Sequence, residues 1–186
     1  MIENEFKVML TAEQYTKLYS MYGWDREHTQ KNYYFDTPQL SLVQRHITCR
    51  VRLLEGVYYL QMKLPNGAAY SRIELEQTLG DALPYTLSAE QLNALTGRTD
   101  MPDVGLIGEL STLRSIKHID GAELDLDRSV YFGKTDYELE IEFNDEQWAR
   151  KLLSRLKEQL SIEAVGDVCI GKLHRFIAEY RKQAEK

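Results

Sequence analysis

Two carboxylates and a lysine alternate at the start of the chain, as Glu3, Glu5 and Lys7. In an extended strand successive side chains point to opposite faces, so these three share one face. The alternation recurs downstream. Thr48, Arg50 and Arg52 oppose Cys49, Val51 and Leu53; Gln61 and Lys63 oppose Leu60, Met62 and Leu64; Arg72, Glu74 and Glu76 oppose Ile73 and Leu75. Asp125 and Asp127 oppose Leu124 and Leu126, and Glu138, Glu140 and Glu142 oppose Leu139, Ile141 and Phe143. Clustered carboxylates are hard oxygen ligands suited to Mg²⁺, Mn²⁺ or Ca²⁺. Guanidinium and ammonium groups pair with phosphate oxygens, guanidinium in a bidentate way. The combination suits phosphoryl chemistry, where a metal bridges phosphate oxygens and cations absorb charge building on the leaving group.

Two arrangements produce such a pattern. A sheet with one face on a core and one in water carries solvated charges. A barrel whose polar face points inward carries them in a cavity, with helices covering the apolar outside. A solvated face usually mixes in Thr, Ser and Gln, whereas here single-sign clusters dominate. Like charges side by side on a strand are mildly destabilising unless something neutralises them. The pattern favours the inward arrangement.

Turn signals at Glu55-Gly56, Pro65-Asn66-Gly67, Asp120-Gly121 and Gly133-Lys134 each separate two β-rich runs and predict hairpins. The spacing predicts eight strands, near 2–10, 31–36, 47–55, 57–64, 70–78, 113–119, 122–132 and 136–143. Tight hairpins make neighbours antiparallel. Thr11-Ala12-Glu13-Gln14 and Ser88-Ala89-Glu90-Gln91 match the capping box at a helix start. Trp148, Leu152, Leu156 and Leu160, then Leu173, Phe176, Ile177 and Tyr180, predict two further amphipathic helices whose apolar stripes pack on a core.

At 186 residues the chain is sized for a single domain, 1–186. A net charge of −6 argues against a general nucleic-acid binder, although one cavity can be basic inside an acidic protein. There is no run of about 18 apolar residues to cross a membrane. The N-terminus lacks the basic and apolar regions of a signal peptide, and Cys49 and Cys169 lie far apart, which together predict a cytoplasmic location. His28, His46, His118 and His174 are too scattered for a zinc site. No Walker-type loop and no Gly-x-Ser-x-Gly elbow occurs.

The ordered motifs resemble the CYTH superfamily, the triphosphate tunnel metalloenzymes. Glu3-Asn4-Glu5-Phe6-Lys7 matches its ExExK signature, and Cys49-Arg50-Val51-Arg52 resembles its LRxR strand. Tyr33-Tyr34-Phe35-Asp36-Thr37-Pro38, Gln61-Met62-Lys63, Arg72-Ile73-Glu74-Leu75-Glu76, Leu124-Asp125-Leu126-Asp127 and Tyr137-Glu138-Leu139-Glu140-Ile141-Glu142 follow in order. Gly171-Lys172 stands where the family usually has Ser-Lys. The chain looks most like bacterial members named as adenylate cyclases or thiamine triphosphatases.

The resemblance implies an α+β fold: an eight-stranded antiparallel barrel, open as a tunnel with a charged interior, with helices packed outside. It implies hydrolysis of a triphosphate with Mg²⁺ or Mn²⁺. By the same carry-over Glu3, Glu5, Asp127, Glu140 and Glu142 would bind metal, with Glu74 and Glu76 nearby. Lys7, Arg50, Arg52, Lys63, Arg72 and Lys172 would hold the triphosphate, with Arg114 as an extra contact. Glu5, Lys7 and Glu140 would form the catalytic set. The motifs account for a phosphate chain and for no organic group, which favours inorganic triphosphate. Thiamine triphosphate or a nucleoside triphosphate comes next, then cyclase chemistry or a non-catalytic sensor. The apolar outer faces leave room for a homodimer if helices do not cover them.

Overall fold

The computed structural model describes residues 1–163 and 169–184. In chain order the elements are β1 (Ile2–Leu10), α1 (Ala12–Met21), β2 (Arg26–Asp36), α2 (Ser41–Gln44), β3 (Thr48–Leu54), β4 (Val57–Asn66) and β5 (Ala68–Gly80). Then come β6 (Thr86–Leu87), α3 (Ala89–Thr96), β7 (Val104–Ile119), β8 (Ala122–Tyr131), β9 (Lys134–Phe143), α4 (Glu146–Leu160) and α5 (Lys172–Ala184). The strand order is β2-β3-β4-β5-β1-β9-β8-β7, and an antiparallel β2–β7 ladder closes the ring. The result is a closed eight-stranded antiparallel barrel with helices packed outside. β6 is a two-residue addition hydrogen-bonded to β7.

Turn chemistry sets the register. Glu55 and Gly56 have φ of 51° and 83°, and Phe132 and Gly133 have 46° and 75°. Two consecutive positive φ values make the two-residue turn whose twist matches flanking strands, which places Leu54 opposite Val57 and Tyr131 opposite Lys134. Thr11 and Gln14 form the full capping box of α1. Ser88 accepts from the Gln91 N–H at the start of α3.

The outer faces make the core. Phe6, Val8, Leu126, Leu139 and Ile141 are buried against Leu18 of α1 and Leu152, Leu153, Leu156 and Leu160 of α4. Each such leucine contributes about 1.5–3 kcal/mol relative to exposure. A second cluster joins Cys49, Val51, Leu60 and Met62 to Leu42 of α2 and Leu92 of α3. The third is different. Tyr34, Leu110 and Tyr131 have the parity of the inner face, and they pack on Leu173, Phe176 and Ile177, so α5 lies across one end of the barrel. Gly108 makes this possible. Its φ is +151°, and a Cβ there would stand 2.8 Å from Phe176 Cζ.

Besides the added β6, the structure differs from the sequence expectation in three elements. β2 begins at Arg26 and not near 31, because its first turns carry polar residues on both faces and show no apolar alternation. β7 runs 16 residues from Val104, not seven from 113, with a register shift opposite Tyr34 and Phe35 that interrupts its period of two. α2 has no sequence signature. It is capped by Asp36, which accepts from the N–H groups of Leu42 and Val43.

Candidate active site

The polar faces of the strands enclose a cavity of about 1170 Å³. Of the residues singled out from sequence, Glu3, Glu5, Lys7, Arg50, Arg52, Lys63, Arg72, Glu74, Glu76, Arg114, Glu140, Glu142 and Lys172 all line it. Asp127 does not. Pairing across ladders brings them together: Glu5 faces Glu142, Lys7 faces Glu140, Asp125 faces Glu140, Arg114 faces Asp127, and Lys63 faces Glu74.

One part of the lumen is a closed network of ion pairs. Lys172 Nζ lies 2.7 Å from both Asp127 and Glu140, and pairs also with Glu138. Lys172 donates hydrogen bonds to Glu138 and Glu140 and forms an ion pair with Asp127. It clamps this network from the edge of the cavity, which it also lines. Lys7 pairs with Glu5 at 2.8 Å and Glu140 at 2.7 Å, keeping one donor. Arg114 bonds Asp127 and Glu140 at 2.6 Å each, and pairs with Asp125. Burial alone would raise the Glu140 pKa, but Lys172, Lys7 and Arg114 hold it well below the usual carboxylate range. Asp127 is lowered by Arg114 and Lys172 against the same opposing burial. Asp127 thus stands behind the cavity wall on the inner face of β8, ion-paired to Arg114 and Lys172.

In a second part of the lumen carboxylates outnumber cations: Glu142 pairs with no cation among the described residues, while Glu5 pairs with Lys7 and Asp125 with Arg114 through one oxygen each. Burial, then Asp125, Glu3 and Glu140, push Glu142 up to about 9. Burial, opposed by Arg114 but reinforced by Asp127 and Glu140, pushes Asp125 up to about 7. Glu5 Oε2 and Asp125 Oδ1 are buried with no hydrogen-bond partner among the described residues. Carboxylate oxygens of Glu3, Glu5 and Glu142 lie within 4.8 Å of one another, as do those of Glu123, Asp125 and Glu142. An all-oxygen set with orphaned buried oxygens fits a hard divalent cation. The third cluster, Asp127, Glu138 and Glu140, is already neutralised by Lys172 and Arg114.

A third part has the opposite imbalance. Arg52 pairs with no carboxylate among the described residues; its Nε donates to Asn32 Oδ1 at 3.3 Å. Burial, then Arg50 and Arg114, lower its pKa, yet a guanidinium stays charged and so leaves excess positive potential. Arg50 Nε donates to Gln61 at 2.8 Å, with Glu74 3.7 Å away. Gln61 in turn holds Glu76 at 2.6 Å. Lys63 pairs with Glu3 at 2.5 Å. Arg72 donates to the carbonyls of Ala68, Ala69 and Ser71.

Several residues received no site role from the sequence. Asp125 was read onto the same face as Asp127, and only the three-dimensional pairing shows that one of its oxygens stays unpartnered while Asp127 is paired on both. Glu123 was hidden next to the Asp120-Gly121 turn. His28, Gln30 and Asn32 line the cavity from the part of β2 whose polarity concealed the strand.

Residues 1–168 match the CYTH domain. The Bacillus subtilis strain 168 protein named "Putative triphosphatase YjbK" is 34% identical over 97% of each chain. A crystal structure from Bacillus halodurans, titled as a putative adenylate cyclase, superposes with a TM-score of 0.78 at 29% identity, covering 94% of this chain and 96% of that one. The Hippeastrum adenylyl cyclase-like protein HpAC1, described as having a dominant triphosphatase activity, gives 0.73 at 18% identity over 95% and 96%, and shares the fold. No helix among the described residues is long and apolar enough to cross a membrane. By the extent of its match, the chain belongs to the CYTH family.

Proposed function

We propose that this protein hydrolyses a triphosphate with a divalent cation, Mg²⁺ or Mn²⁺, and that inorganic triphosphate is its substrate. The observation that carries this reading is the separation of charge in one lumen. Glu142, which has no ion pair among the described residues, and the unpartnered oxygens Glu5 Oε2 and Asp125 Oδ1 share the barrel interior with Arg52, whose guanidinium pairs with no carboxylate among the described residues. A ligand that is both polyanionic and metal-chelating neutralises both. The relative named as a triphosphatase supports the same reaction class.

Glu3, Glu5, Asp125 and Glu142 would hold the cation, with Glu123 at the edge. The cation supplies charge neutralisation on phosphate oxygens and acidifies water. Arg52, Arg50, Lys63 and Arg72 bind the phosphate chain, and the remaining donor of Lys7 reaches toward it. Glu140 orients Lys7 and Arg114 through the pairs described above. Lys172 holds Glu140 in place from behind. Fixed cations in the lumen would stabilise the charge that develops on the leaving phosphate.

A second reading, an organic triphosphate, is favoured by Leu54 and Ile116, apolar side chains that also line the lumen. We place the protein in the cytoplasm as one domain, in keeping with free Cys49 and Cys169. The test is incubation with triphosphate, thiamine triphosphate and ATP, each with Mg²⁺, Mn²⁺ or Ca²⁺. Phosphate, pyrophosphate and cyclic AMP are then measured. Phosphate from inorganic triphosphate is the expected product. Cyclic AMP from ATP, or binding with no product, overturns the assignment.

A further inference from the structure

We propose that Asn32 is a substrate-binding residue, one that orients Arg52 without neutralising it and donates its own amide hydrogen to the phosphate chain. This rests on the functional reading above. Asn32 lies on the inner face of β2, opposite Arg52 of β3 and Leu110 of β7. It lines the lumen, yet its residue is only 1% exposed. Arg52 Nε is a donor, so the amide oxygen of Asn32 must face it, at 3.3 Å. That orientation commits Nδ2 to the other side. Nδ2 is buried with no hydrogen-bond partner among the described residues. A buried amide N–H without a partner is rare in native structures and calls for an explanation.

The choice of an amide is informative. Arg50 Nε likewise meets an amide, Gln61, but three other basic side chains of the lumen meet carboxylates: Lys63 meets Glu3, Lys7 meets Glu5 and Glu140, and Arg114 meets Asp127. Each such pair cancels charge that a polyanion would otherwise use. Asparagine has the shape of aspartate and the same acceptor for Nε, but no charge. It holds the guanidinium while leaving its positive potential intact. Its Nδ2 then adds a neutral donor beside that cation, and phosphoryl oxygens accept from both.

The experiment compares wild type, Asn32→Ala and Asn32→Asp, measuring KM and kcat for inorganic triphosphate with Mg²⁺. Calorimetric binding of inorganic triphosphate in EDTA and a thermal melt accompany it. Aspartate keeps the shape and the acceptor, so a purely structural role predicts that it is milder than alanine. The proposal predicts the reverse order. Asn32→Asp should raise KM by more than about tenfold and Asn32→Ala by about three- to tenfold, the loss of one charge-assisted hydrogen bond, with kcat little changed. Asn32→Ser keeps both an acceptor and a donor. It should stay closer to wild type than alanine does, which decides the matter if the aspartate variant does not fold. An aspartate variant milder than alanine, or unchanged KM in Asn32→Ala, overturns this inference alone. Wild-type protein that neither binds nor hydrolyses triphosphate overturns the functional reading as well.

Discussion

Glu5 and Glu142 stand directly opposite each other across the β1–β9 ladder, both on the inner face of the barrel. Like charges in that position repel. Lys7 compensates Glu5 through one oxygen at 2.8 Å, while Glu5 Oε2 is buried without a partner. Glu142 has no ion-pair partner among the described residues and keeps its proton up to about pH 9. The barrel thus holds an electrostatic deficit at one place on its wall.

That deficit sets a pH dependence. A carboxyl whose pKa is raised on folding favours the folded state below its unfolded pKa, near 4.3, and this contribution is lost as pH rises through the folded value. For Glu142 the window closes at about 9, and for Asp125 at about 7. Metal-free protein should therefore lose thermal stability from about pH 5 to pH 9. Glu142→Gln should melt higher than wild type by a margin that grows over that window. Added Mg²⁺ should raise the wild-type midpoint more at pH 8.5 than at pH 6. Melting scans in EDTA and in Mg²⁺ check this, and a margin that does not change with pH would remove Glu142 from the deficit.

Glu5→Gln and Glu140→Gln should both lower kcat by at least about a hundredfold, for different reasons. The first removes a cation ligand, so Mg²⁺ affinity falls with it. The second loosens Lys7 and Arg114 while Mg²⁺ affinity changes less. Phosphate release and metal titration separate the two, and full activity in either variant would refute its assigned role.

Arg52→Ala should leave thermal stability unchanged or raised, because the guanidinium has no carboxylate partner among the described residues and is crowded by Arg50 and Arg114. KM for triphosphate should rise by about ten- to a hundredfold, the size of losing hydrogen bonds to a charged group. A destabilised protein with normal KM would show Arg52 to be structural.

Lys172→Met should behave in the opposite way. Asp127, Glu138 and Glu140 would lose their shared cation, and stranding buried charge costs about 3–5 kcal/mol. Chemical denaturation should show a loss of that order at neutral pH and a smaller one at acid pH, where the carboxylates take up protons.

Gly108→Ala tests the end of the barrel. The new methyl meets Phe176 at 2.8 Å, so α5 must shift, at about 1–3 kcal/mol. Because Lys172 begins that helix, activity should fall together with the melting temperature.

From the sequence by itself, the inward charged faces, the hairpin turns and the antiparallel barrel were legible. The reason is that a strand alternates its side chains with period two, and Glu-Gly and Asp-Gly pairs mark turns locally. Glu3, Glu5, Lys7, Arg50 and Arg52 could be placed on one lining without any coordinates. What only the tertiary structure decided is which charges cancel. Asp125 and Asp127 have the same parity and the same chemistry, yet Arg114 and Lys172 satisfy Asp127 and leave one oxygen of Asp125 bare. Lys172, expected at the substrate, lines the cavity and also pairs with three carboxylates, Asp127, Glu138 and Glu140. Asn32 became visible only when β2 was seen to pair with both β3 and β7. Pairing of charge depends on distances of a few ångströms between strands remote in sequence, and no local pattern encodes those.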